Sequence, residues 1–307
     1  MTRFATIAEL DVEVVVAAQA SLGEGPRWDE RSQTLLFVDI DAGRVWRFDP
    51  ATGMVDGFDA DGPVAALGLR DDGGLILARG LGFAACNASG EQIRAASEFT
   101  VTDERVRFND GAVDPWGRFV AGTMDLDARR PIGALYQLHA DGIVEQLLTG
   151  ITISNGIAWS SDARAMYYVD SVTGGLDVFS LDDAGEIGRR SRVVQFDASR
   201  DGGPDGLTLD SEGCIWVACW GGSAVRRVTP SGRIDAIIRL PVTNVTSVAF
   251  GGRELDELYV TTARSGLDDE ALRAQPHAGD VFVARPGVTG LPSARFGNAT
   301  QPGGLVE

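Results

Sequence analysis

Four side chains able to hold or move charge recur at one position of a repeated pattern: Glu24, Asn109, Asn155 and Asp205. They open the copies Glu24-Gly25, Asn109-Asp110, Asn155-Gly156 and Asp205-Gly206, each with an apolar residue four positions on: Trp28, Val113, Trp159 and Leu209. Two further copies begin Ala65-Ala66 and Thr246-Ser247, followed by Leu69 and Phe250. Two carboxylates and two amides are all oxygen donors, the set that suits a hard divalent cation such as Ca²⁺, Mg²⁺ or Mn²⁺. Asn-Gly and Asp-Gly are also ordinary turn formers, so any one copy taken alone reads better as backbone geometry. Convergence favours the metal reading, because unpaired carboxylates in a narrow space repel each other and resist desolvation, and a cation removes both costs.

Other chemistries find less support. The chain has two histidines, His139 in the strand-like run Leu135 to His139 and His277 in the loop segment Gln275 to Gly279. Neither sits in a copy of the repeat, and no Gly-x-Ser-x-Gly elbow occurs, so a nucleophile–histidine triad and a histidine zinc site both fail. Cys86, Cys214 and Cys219 have no metal-type spacing and read as reduced structural thiols. Trp28, Trp116, Trp159 and Trp216 fall inside the repeat and read as packing between units, whereas Trp220, before Gly221-Gly222, is a candidate for a pocket.

The positioning elements follow from the spacing. The openings at 24, 65, 109, 155, 205 and 246 recur every 41 to 50 residues, a period that with several short strands per unit marks a β-propeller. The fold class is therefore all-β: a six-bladed propeller with four-stranded blades, in a single domain over 1–307. In the fourth unit, strands are expected over 155–160, 165–170, 175–180 and 192–196, with Asp- and Gly-rich turns between them. No amphipathic helix of any length stands out. An N-terminal strand over about 12–17 has no blade of its own and is expected to close the last one, removing a sheet edge. The first strand of each blade is innermost, so the opening residues form a ring at one mouth of the central channel.

Composition narrows the partners. Of 307 residues, 44% are hydrophobic and 23% charged, and 27 basic against 44 acidic residues leave a net charge of −17. Such a surface repels nucleic acid. No stretch is apolar enough to span a membrane, and residues 1 to 10 lack the features of a signal peptide, so a cytoplasmic location is expected.

The same segments resemble the senescence-marker/regucalcin/gluconolactonase family, which includes luciferin-regenerating enzyme. The resemblance is carried by Leu22 to Trp28, by Arg107 to Gly111 with Ala121 to Met124, by Ile153 to Gly156 with Trp159-Ser160, and by Pro204 to Gly206 with Trp216 to Cys219. Phe250 to Gly252, Tyr259 to Thr261 and Gln275 to Gly279 complete the set, so that it spans residues 12 to 285. It implies a six-bladed propeller that hydrolyses sugar lactones with one divalent metal, of identity Ca²⁺, Zn²⁺, Mn²⁺, Mg²⁺ or Fe²⁺. Carried over residue by residue, it makes Glu24, Asn155 and Asp205 metal ligands. Arg107 and Asn109 then become substrate contacts, and the acidic contact after the Gly-Thr-Met segment falls on Asp127. The expected activity is hydrolysis of an aldonolactone to the sugar acid by metal-activated water, with Asp205 as base. A broader esterase or lactonase and a non-catalytic calcium-binding or interaction propeller are the competing readings.

Overall fold

Apolar runs broken by Asp- and Gly-rich turns fold into short antiparallel strands that pair with their neighbours in sequence. The structure, a computed structural model, describes residues 11–298. Among these residues, 24 strands form six four-stranded antiparallel sheets. The sheets are the blades of a six-bladed β-propeller. Their innermost strands are Gly23–Asp29, Val64–Leu69, Val106–Val113, Ser154–Trp159, Gly203–Leu209 and Val245–Gly251. These six strands pack side by side in cyclic order around the axis. The expected single domain over 1–307 and the residues read against a signal peptide extend beyond the described residues.

Each innermost strand is irregular at its ring residue. Pairing with the second strand slips between Glu24 and Arg27, Val64 and Ala66, Phe108 and Asp110, Ser154 and Ile157, Pro204 and Leu207, and Val245 and Ser247. A bulge frees residues from the ladder, bends the strand and re-aims side chains. Tight packing between neighbouring ring strands also explains two of the glycines. A Cβ on Gly156 would stand 2.6 Å from the Asp205 carbonyl oxygen, and one on Gly206 would stand 2.1 Å from Ser247 Oγ.

Large apolar side chains join the blades. Trp28 of the first blade stacks on Tyr259 of the sixth at 5.7 Å, and Trp216 of the fifth meets Phe250 of the sixth edge-on at 6.2 Å. Both indoles are buried, whereas Trp116 and Trp159 are half-buried. The three cysteines are free and buried. The outermost strand of the fourth blade, Ile187–Gln195, starts five residues before the expected 192. Its Arg190 and Arg192 bond to buried Asp177 on the third strand, so a polar run that reads as a loop is strand. The described helices are short, Ala198–Asp201 and Asp269–Ala274, each N-capped by an aspartate. No described helix is long and apolar enough to cross a membrane.

Two segments tie the ends together. Val12–Val16 pairs antiparallel with Val281–Ala284, so the sixth sheet draws its strands from both ends of the chain. After that strand the chain crosses the face opposite the ring. Gly290 N donates to Leu255 O, Ser293 Oγ to Trp28 O, Phe296 N to Leu69 O and Gly297 N to Gly117 O. Leu291 to Ala294 thereby line the far half of the channel, a cavity of about 350 Å³.

Removing residues 1 to 20 deletes Val12–Val16, buried Val16 and buried Ala20, and leaves Val281–Ala284 as an open edge. We expect a stability loss of about 3 kcal/mol or more from the lost apolar burial and ladder, read by urea denaturation. An unchanged midpoint would contradict this account of closure.

Candidate functional site

Glu24, Asn109, Asn155 and Asp205 each stand at or beside the bulge of an innermost strand, and all four are buried. Hydrogen bonds link the amides directly. Arg107 Nη1 donates to Asn109 Oδ1 at 2.8 Å and to the Phe108 carbonyl at 2.8 Å. Asn109 Nδ2 donates to the Ser154 carbonyl at 2.9 Å and to Asn155 Oδ1 at 3.2 Å. Asn155 Nδ2 donates to Ser171 Oγ at 2.9 Å, and that hydroxyl donates to the Pro204 carbonyl at 2.7 Å. The chain of bonds thus runs from Arg107 to the residue before Asp205.

The two carboxylates carry the electrostatic load. Burial, reinforced by the Asp110 charge, pushes the Glu24 carboxyl up to about 8. Asp205 is raised well above the usual carboxylate range by burial, then by the charges of Glu24 and Asp110. Asp110 is itself raised by burial, a shift opposed by Arg27, whose Nη2 lies 3.9 Å from Asp110 Oδ1 and donates to the Gly111 carbonyl at 2.6 Å. Arg107 faces Glu24, Asp205 and also Asp41. Glu24 Oε2 accepts from Gly25 N at 3.0 Å, while Asp205 Oδ1 is a buried oxygen with no hydrogen-bond partner among the described residues.

This donor set fits a hard cation. A buried, unpartnered carboxylate oxygen beside a second buried carboxylate is costly to leave unsatisfied, and a divalent ion supplies the missing partner. No described cluster has three or more Asp, Glu, His or Cys side chains disposed to hold a metal. The set here has two carboxylates, to which the Asn155 amide oxygen could add a third donor.

Among the residues expected from sequence, Arg107, Asn109 and Asn155 form one bonded group, with Glu24 and Asp205 felt electrostatically by Arg107. Asp127 stands apart. It follows the second strand of the third blade, its side chain is 67% exposed, and it bonds to Arg130 at 3.0 Å. The same arginine pairs with buried Asp125 at 2.7 Å. His139 contacts Gln137 and Glu145, and His277 pairs with Asp280 at 3.0 Å, so both histidines have partners outside the ring.

Sequence reasoning missed Asp110, Arg27, Asp41 and Ser171. Asp110 carried a usable signal: the residues after the other ring positions are Gly25, Ala66, Gly156, Gly206 and Ser247, all small. Ser171 carried none within the repeat, because it comes from the connection after the second strand of its blade.

Comparison with known proteins follows the same segments. Residues 22–264 match the family described as the SMP-30/Gluconolactonase/LRE-like region. Regucalcin from Gallus gallus is 38% identical over 298 residues, 94% of this chain and 99% of that protein. A solved structure of a calcium-binding protein, regucalcin, from Agrobacterium tumefaciens superimposes with a TM-score of 0.89 at 29% identity, covering 95% of this chain and 99% of the other. Luciferin-regenerating enzyme superimposes with a TM-score of 0.87 at 32% identity, covering 94% of this chain and 99% of the other.

The raised Glu24 pKa has a signed consequence. Between its ordinary value of 4.5 and about 8 the folded protein keeps a proton that the unfolded chain has released. Stability from this group is therefore full below the ordinary value and is lost as pH rises through about 8. With chelator present, Glu24→Gln should match the parent near pH 5 and exceed it near pH 8.5 by several kcal/mol. Equal denaturation midpoints at both pH values would refute this assignment of the buried charge.

Proposed function

Because the chain belongs to the SMP-30/gluconolactonase/LRE-like family, we propose that it hydrolyses a sugar lactone of the aldonolactone class to the sugar acid. In this reading Glu24, Asn155 and Asp205 hold one divalent cation. The observation that carries it is the buried, unpartnered Asp205 Oδ1 beside buried Glu24, flanked by two oriented amides and Arg107. Calcium is the first ion to test, since the Agrobacterium neighbour is described as a calcium-binding protein. A divalent cation bound there would polarise the lactone carbonyl and lower the pKa of water.

The remaining work belongs to side chains. Asp205 accepts a proton from the attacking water as the new C–O bond forms at the carbonyl carbon. It returns that proton to the ring oxygen as the ring C–O bond breaks, which balances the hydrolysis. Glu24 serves as a ligand, its pKa held by the site and not by the reaction. Arg107 spends Nη1 on Phe108 and Asn109, which fixes its plane, and presents its other N–H groups to substrate hydroxyls. Asn109, oriented by Arg107 and Ser154, lies beside the ligand Asn155 and contacts the substrate. Asp127 adds an acceptor at the rim, where its exposure leaves it reachable by a sugar hydroxyl.

A second reading, a calcium-binding propeller without turnover, is favoured by the description of that same neighbour. One assay separates the two. A pH-stat measurement across five- and six-membered aldonolactones should show turnover that chelator abolishes and calcium restores. Asp205→Asn should lower kcat by about 100-fold or more. Turnover of no lactone by calcium-loaded parent protein would leave the calcium-binding reading standing and remove the hydrolase.

Arg107→Ala should impair sugar lactones far more than simple aryl esters, which have no hydroxyls for the guanidinium to hold. A loss of about 1–3 kcal/mol in kcat/KM is expected for a charge-assisted hydrogen bond. Equal losses on both substrate types would place Arg107 outside substrate recognition.

A further inference from the structure

An amide serves a cation only through its oxygen. Turned over, the same side chain presents two N–H dipoles and repels the ion. Asn155, the one uncharged member of the ligand set, therefore depends on whatever fixes which end faces which neighbour. The direction can be deduced from groups that can only accept. The Pro204 carbonyl cannot donate, so the proton of the 2.7 Å contact comes from Ser171 Oγ. A hydroxyl has one proton, so Ser171 must accept in its other bond, the 2.9 Å contact to Asn155. The amide end beside Ser171 is therefore NH₂, and Oδ1 is the end on the Asn109 side.

The opposite end of the network agrees. The Ser154 carbonyl can only accept, so Asn109 must show its NH₂ to it and to Asn155 Oδ1, at 2.9 and 3.2 Å. Asn109 Oδ1 is then left to accept from Arg107 Nη1 at 2.8 Å, which can only donate. Two independent chains of reasoning, one from blade five and one from Arg107, meet at the same orientation of Asn155.

Ser171 is well placed to hold this setting. It starts a single 3-10 turn, Ser171–Thr173, directly after the second strand of the fourth blade. Its amide donates to Ile153 O at 3.1 Å, its carbonyl accepts from Gly174 N at 3.0 Å, and Thr173 Oγ1 closes the turn on Asp170 O at 2.7 Å. The hydroxyl also reaches the residue that precedes Asp205, so one oxygen joins the ring strands of blades four and five.

We infer that Ser171 is a positioning residue whose hydroxyl holds Asn155 oxygen-first and couples it to the strand carrying Asp205. The inference rests on the metal-ligand role proposed for Asn155 and Asp205. Removing the hydroxyl takes away the acceptor for Asn155 Nδ2, leaving the amide held by its bond from Asn109 alone, and leaves the Pro204 carbonyl without its donor. Partners that orient a ligand are worth about 10- to 100-fold in metal affinity.

The test is calorimetric titration of chelator-stripped protein with calcium chloride, for the parent, Ser171→Ala and Ser171→Thr. Ser171→Ala should bind calcium about 10-fold or more weakly, and Ser171→Thr, which keeps the hydroxyl, should bind as the parent does. The metal-free Ser171→Ala protein should melt within about 2 °C of the parent. Hydrolysis by Ser171→Ala should recover at high calcium, whereas that of Asp205→Asn should not. Parent-like affinity in Ser171→Ala, or equal weakening in Ser171→Thr, would overturn the positioning role while leaving the metal reading intact. A metal-free melting loss that accounts for the whole affinity change would overturn it in favour of a structural role. A parent that binds no calcium, magnesium, manganese or zinc would sink the metal reading and this inference together.

Discussion

Glu24 and Asp205 are buried carboxylates whose proton affinity is raised first by burial and then by charge, that of Asp110 acting on both and that of Glu24 on Asp205. Burial and like charge both oppose ionisation, so the site is a local cost that the scaffold must sustain. The propeller does so through contacts far from the ring. Trp28 on Tyr259 and Trp216 on Phe250 join the sixth blade to the first and the fifth, and apolar clusters fill the space between the other blades. The C-terminal run across the opposite face bonds to blades one, two, three and six. Closing the ring at both faces lets six bulged strands hold polar residues at positions where an open sheet would relax.

A second buried layer moderates the charge. Asp110 follows Asn109 where other ring residues are followed by Gly, Ala or Ser, and it would add a third carboxylate to the site. Arg27 meets it from the first blade at 3.9 Å. Arg27 occupies a layer where the equivalent residues of the other blades are Gly68, Ala112, Ala158, Thr208 and Ala249. Small residues in five blades leave room for one guanidinium, whose Nη2 is tied to the Gly111 carbonyl. Arg107 supplies the other nearby cation. Three carboxylates against these two arginines leave one negative charge, which the proposed divalent ion would more than offset.

The fold was legible because the innermost strand is largely buried and repeats its apolar pattern in every blade. The ring residues were legible for the same reason, since a repeat fixes equivalent positions without knowledge of distance. Outer strands were less so: Ile187–Gln195 is largely exposed, and its Arg190 and Arg192 find Asp177 only once the blade is formed. The bulges were invisible because a register slip changes pairing and not composition. Ser171 was invisible because its meaning lies in a carbonyl 33 residues away, on another blade. Asp127 matched by alignment, yet its exposure and its bond to Arg130 depend on a loop whose shape no spacing encodes.

The cyclic order explains why six equivalent positions yield a site without sixfold character. Glu24 stands on blade one, opposite Asn155 on blade four, and Asn109 and Asp205 flank Asn155 on blades three and five. The neighbours of Glu24 are therefore Ala65 and Thr246, neither charged. Thr246 spends its hydroxyl on the Gly23 carbonyl at 2.6 Å, which holds the strand at the residue before Glu24. The two carboxylates are thus never on adjacent blades. Had Asp205 been exchanged with Thr246, two acids would stand side by side and the backbone bond to Gly23 would be lost. Alternation of acid with neutral residues around the ring keeps their repulsion at a level one cation can offset, and the amides fill the arc between them with neutral oxygens.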